Sequence, residues 1–133
     1  MKMPIGNETE IKEESGIKWL SEPKPHNYPA AQSYLNLIFN NAEANIIVNE
    51  LKNVSITKFK AKDIIRASGL SVLSKDNSHV IKNKKKISEG EELSPVLLVR
   101  DSVTHKLIIA DGYHRVCTVY LMDEDADIPA KII

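Results

Sequence analysis

The chain predicts an α+β fold, a small mixed sheet carrying helices, with a helical hairpin at its N-terminal side. Three patterns predict it. Apolar residues between 29 and 53 recur at helical spacing. Two apolar runs in the last third, VLLVR and LIIA, have the length and composition of strands. Segments with a helical period lie between the strand-like ones rather than in a block of their own, so helices and strands share one small layer structure.

The elements follow in order. Residues 1–27 are polar and read as an arm or irregular leader, with Trp19 and Leu20 as its anchor to the body. Pro29 suits a first helical position, and Ala31, Tyr34, Leu35 and Ile38 then fall at i, i+3, i+4, i+7. Asn40-Asn41 breaks the run. Ala44, Ile47, Val48 and Leu51 repeat the spacing, so two short helices form a hairpin whose apolar faces need the rest of the chain as partner. Val54 to Thr57 alternates like a strand. Ala61 to Ser68 reads as a helix with Ile64 and Ile65 inward and Gly69 as its stop. LSVLSKDNSH is a loop ending at a cap, which Asp76, Asn77 or Ser78 could supply. Residues 79–88 form a weakly amphipathic helix. Pro95 opens the strand VLLVR, Asp101 to His105 turn the chain, and Lys106 to Ala110 return as a second strand, through a connection that has no glycine. A helix over 112–122 follows, and DIPAKII closes the chain as an edge strand. The division expected is an arm and hairpin over 1–53, packed on a domain over 54–133.

Composition narrows the function classes. The 133 residues allow one core, and 42% hydrophobic with 27% charged residues suits a globular domain. Eighteen basic and eighteen acidic side chains cancel, which argues against nucleic-acid or membrane binding driven by overall charge. A single cysteine cannot form an intrachain disulfide, and with no signal-like or membrane-spanning run the expected location is cytoplasmic. No zinc pattern, Walker loop or serine-triad signature is present.

The stretch LIIADGYHRVCTVYL carries the strongest functional signal. Strand gives way to helix at Asp111-Gly112, and the cations His114 and Arg115 occupy the first helical turn. Cations there oppose the helix dipole. With Asp111 as N-cap and Gly112 offering a bare backbone, the free N–H groups of that turn make an anion site. His114 and Arg115 would complement a bound phosphate or carboxylate, Arg115 with its two-pronged fork. The alternative is structural: Arg115 pairs with Asp111 or Asp101, and His114 is a surface residue.

SPVLLVR, KLIIADGYHRVCTVYL and DIPAKII together resemble the core of the ParB/sulfiredoxin-like superfamily. That core has a proline-led strand, a second strand, a Gly-x-x-Arg turn into a helix, and a closing strand that opens with Ile-Pro. The match covers residues 94–133 and, more loosely, 54–93. The resemblance implies a nucleotide or small phosphorylated ligand, ATP, ADP or CTP with Mg2+, with Gly112, Tyr113, His114 and Arg115 at its phosphates. Asp111 matches the acid that opens the turn in the free-serine kinase branch, to which the turn is closest. Departures limit the carry-over. Tyr113 stands where sulfiredoxins have their cysteine, and no helix-turn-helix follows, so specific DNA binding is not expected. The kinase branch also needs an upstream carboxylate. Asp76 could be that base, taking a proton from a hydroxyl nucleophile, or a plain helix cap.

The function expected is therefore nucleotide or phosphate binding, in its enzymatic form a nucleotide-dependent phosphotransferase acting on a small hydroxyl compound. The alternative is a non-catalytic module that binds a nucleotide, a nucleic-acid phosphate or a protein partner. Lys82, Lys84, Lys85 and Lys86 could steer an anion to the turn or form a solvated face, and His79 could join them or simply cap. Asp123, Glu124, Asp125 and Asp127 read as a solvated loop, and no metal site is expected.

Overall fold

The computed structural model describes residues 16–133, and the first part of the leader, residues 1–15, lies outside the described residues. The elements are β1 (Lys18–Trp19), α1 (Asn27–Leu35), α2 (Asn41–Asn53), β2 (Thr57–Lys60), α3 (Ala61–Ser68), α4 (Ser78–Ser88), β3 (Glu92–Leu93), β4 (Val96–Arg100), β5 (Leu107–Asp111), α5 (Tyr113–Met122) and β6 (Asp127–Ile132). The fold is α+β, as the sequence predicts. Its main sheet has the order β2-β6-β4-β5, with β4 and β6 parallel and the other pairs antiparallel.

Alternation along β4 sorts the core into two halves. Val96 and Leu98 point to a core under α3, α4 and α5, which contribute Ile64, Ile65, Val80, Ile87, Val116 and Val119. Leu97 and Val99 point to the other face, where the hairpin lays Ala31, Leu35, Ala44, Val48 and Leu51 against them. The hairpin thus packs on the sheet, as its apolar stripe requires. Within the first helix Tyr34 and Ile38 are exposed rather than inward. The stripe is narrow because α1 ends at Leu35, so Ile38 falls in the connection. The second helix opens with a capping box, in which Asn40 accepts from Glu43 N–H at 2.8 Å and Glu43 accepts from Asn40 N–H at 3.4 Å.

The closing strand is a correction. It is not an edge: β6 lies between β2 and β4. Pro129 and Lys131 suggest an exposed strand, since proline cannot donate to a ladder. Here Pro129 faces Lys58 of β2, and pairing to β4 begins only at Ala130. The strand expected at 54–57 is also displaced, to Thr57–Lys60, because Phe59 is paired opposite Ile128 of β6.

The third helix runs from Ala61 to Ser68 and stops at Gly69, which has a left-handed φ of 72°. The glycine-free turn between β4 and β5 is solved by His105, which takes φ 60°. Asp101 braces it, accepting from Val103 N–H at 3.0 Å and the Thr104 hydroxyl at 2.8 Å. From residue 16 onward the leader is more ordered than its composition suggests. β1 pairs in parallel with β3, and Trp19 packs against the core. Among the described residues no helix is long and apolar enough to cross a membrane.

Candidate functional site

The turn between β5 and α5 is built around Gly112. Its φ of 110° is one that side-chain-bearing residues rarely adopt, and a Cβ there would stand 2.5 Å from Val96 Cγ1 and 2.9 Å from Arg115 Nη2. The backbone must therefore pass tightly over β4. Just before it the β4–β5 register shifts: Leu97 pairs with Asp111 and Leu98 with Ile109, leaving Ala110 as the extra residue of a bulge. Bulges of this kind re-aim the end of a strand.

Asp111 is not the N-cap. Gly112 holds that position, and no side chain caps the helix. The Asp111 carboxylate instead accepts from Arg115 Nη2 at 3.0 Å, an i,i+4 ion pair with both side chains largely buried. A charge-assisted bond to the guanidinium outcompetes a neutral backbone N–H. The structural role weighed for Arg115 is thus present. It does not exhaust the residue, which has five donors. Nη2 also reaches the Pro95 carbonyl at 3.4 Å, while Nε is buried without a partner among the described residues.

A cleft of about 210 Å³ opens over this turn. Asp111, Gly112, His114 and Arg115 form one wall. His79, Lys82, Asn83 and Lys86 form the other. Those four sit at i, i+3, i+4 and i+7 of α4, one stripe of the helix, which is why Lys84 and Lys85 do not take part. His79 and His114 meet across the cleft with ring centroids 4.2 Å apart. Burial, then the charges of His79 and Arg115, hold the His114 imidazole below its ordinary pKa. Uncapped helix N–H groups, a guanidinium, two lysines and two imidazoles border this cleft, with a single carboxylate that Arg115 already holds. Such an arrangement can bind a compact anion and hold its charge.

Two expected site residues fall elsewhere. Asp76 is exposed and is not part of the cleft wall, and it does not cap α4. Asn77 is the cap, accepting from His79 N–H at 2.9 Å and Val80 N–H at 3.3 Å. Tyr113 also leaves the cleft: its hydroxyl donates to the Ser71 carbonyl and pins the loop ahead of α4. Cys117 is fully buried, with its thiol pushed up by burial, and it accepts from Leu73 N–H at 3.5 Å. It has neither the exposure nor the thiolate character of a reactive cysteine.

The leader adds what sequence reasoning missed. A smaller cavity of about 80 Å³ shares Asn83, Lys86 and Arg115 with the cleft and continues to Lys24 and His26. The leader is tied there by Lys24 N–H, which donates to Asn27 Oδ1 at 2.9 Å and to Ser94 Oγ at 3.0 Å. Ser94 Oγ in turn donates to the same Asn27 oxygen. Nothing local in the sequence signals this contact, which spans about seventy positions. The lysine-bearing helix was legible as a run of Lys82, Lys84, Lys85 and Lys86, and the packing of α4 selects Lys82 and Lys86 from it. In comparisons with protein-family models, curated proteins and solved structures, nothing matches the chain.

Proposed function

We propose that this chain is a phosphate-binding module of the ParB/sulfiredoxin-like kind, whose ligand is a nucleotide or a small phosphorylated compound gripped in the cleft over Gly112. One observation carries the reading. The turn that opens α5 and the cationic stripe of α4 come from two separate stretches of sequence, and both line the same cleft. The order of a proline-led strand, a second strand, a Gly-x-x-Arg turn, a helix and a closing strand supports the family resemblance. The position of Asp76 favours binding over catalysis, because a general base must come within hydrogen-bond reach of the proton it takes.

A phosphotransferase is the second reading, and Asp111 is its support, as the carboxylate on the cleft wall. Arg115 already holds that carboxylate. A magnesium ion arriving with a nucleotide would therefore take its ligands mainly from phosphate oxygens and water.

Thermal unfolding with ATP, ADP, CTP, GTP and pyrophosphate, with and without magnesium, tests the binding reading. A ligand at about 100 times its Kd adds roughly 2.7 kcal/mol to stability. The expected result is a rise in Tm with at least one of these ligands, lost in Lys82→Ala/Lys86→Ala and kept in Asp76→Ala. No rise with any of them, or a rise that survives the double substitution, overturns the site.

A further inference from the structure

A second cavity is larger than this cleft. It is a groove of about 590 Å³ at the other end of the sheet, within the size range of small-molecule sites. Leu107 and Asp111 mark the two ends of β5, about 13 Å apart along the strand, so groove and cleft are separate places. The groove exists because the core under α3 to α5 runs out before the sheet does. Phe59, Ile132 and Leu107 come from three strands and face that core, but they are only partly buried. Ile64 and Ala67 of α3 form the facing wall.

The rim carries charge of both signs, with its cations gathered on one side. Arg100, His105 and Lys106 edge the groove on the β4–β5 side. Neither Arg100 nor Lys106 makes an ion pair with another described residue. The Lys106 amine lies beside Gly69, at the end of α3, 3.7 Å from where a Cβ would be. Two carboxylates, Asp63 and Asp101, line the groove as well, and neither is ion-paired with Arg100 or Lys106. Asp101 is taken up by Val103 N–H and the Thr104 hydroxyl inside its own turn. Asp63 is exposed on α3, with Arg66 at 3.9 Å.

We propose that this groove binds a small amphipathic carboxylate, an apolar chain or ring with one acid head. The apolar body would cover Phe59, Ile64, Leu107 and Ile132, and the head would sit between Arg100 and Lys106. An arginine with a free fork suits a planar carboxylate. A neutral or cationic head would leave those charges unanswered.

Isothermal titration of the full chain with octanoate, octanol and octylammonium tests this. Octanoate should bind at one saturable site, at least tenfold tighter than octylammonium. Arg100→Ala/Lys106→Ala should weaken octanoate at least tenfold and leave octanol within twofold. Ala67→Trp, at an exposed helical position, should fill the groove and abolish both, with circular dichroism showing the fold retained. The proposal is overturned by absence of saturable octanoate binding, by equal affinity for the ammonium, or by binding unchanged in the groove variants. If Ala67→Trp does not fold, the rim double variant decides alone.

Discussion

Lys131 and Arg115 are both cations drawn into the fold, and their surroundings differ. The Lys131 side chain is 4% exposed, and its amine donates to the Lys52 carbonyl at 3.0 Å and to Glu22 at 3.1 Å. Burial alone would lower its pKa, but Glu22 and then Tyr28 outweigh that and raise it. It therefore ties three pieces together: the leader through Glu22, the hairpin through Lys52, and β6. The Arg115 side chain is 18% exposed, has one carboxylate partner, and keeps Nε buried and unanswered beside an open cleft. A buried donor left without a partner costs about 1–3 kcal/mol. The comparison teaches that a saturated interior cation is a clamp, while one with donors left over beside a cavity is what the proposed anion site would need.

That contrast can be broken from either side. The largest effect expected is at Gly112. Gly112→Ala combines a disfavoured φ with a Cβ driven into Val96, and should cost about 3–5 kcal/mol in urea unfolding. A loss below about 1 kcal/mol would mean that the turn relaxes freely and does not hold the site rigid. Next comes the clamp itself. Lys131→Met strands the Lys52 carbonyl and should lower stability by about 1–3 kcal/mol while leaving anion binding in the cleft intact. If binding falls with stability, the two cations belong to one cooperative unit and the distinction drawn between them is wrong.

The smallest effect expected is the pH response of His114. Its pKa is lowered in the folded chain, so the stability tied to its neutral form is held above about pH 6.5 and lost as pH falls through the lowered value. An anion in the cleft favours the charged imidazole and reverses that sign. Sulfate, which stays fully ionised over this range, should therefore bind severalfold tighter at pH 5.5 than at pH 7.5. His114→Gln should flatten that slope. Equal sulfate affinity at both pH values in the parent chain would remove His114 from the site.

Much of the fold was legible because its signals are local. The 61–68 helix announces itself with its spacing and Gly69, and the strand VLLVR with its composition. The Gly112–Arg115 turn stood out because cations in a first helical turn break a local rule. Where sequence reading erred, competition between groups decided, near in the chain at the two caps and distant at β6. Asp111 looked like a cap by position, yet the guanidinium one turn on claimed its carboxylate. Asp76 and Asn77 are neighbours of similar capping strength, and Asn77 is the one that accepts from His79 and Val80 N–H. As the last strand of the chain β6 read as an edge, yet β2 and β4 close on both its sides.

By itself the sequence determined the α+β class, the helix-forming stripes, the unusual Gly112–Arg115 turn and a lysine-rich helix, because each rests on periodicity or on a few adjacent residues. Only the tertiary structure decided that α4 faces the turn, that the leader's Lys24 and His26 reach the same region, and that the sheet extends past its helices to leave a groove. Those outcomes depend on how non-adjacent apolar faces pack, and that packing is a property of the whole core rather than of any one segment.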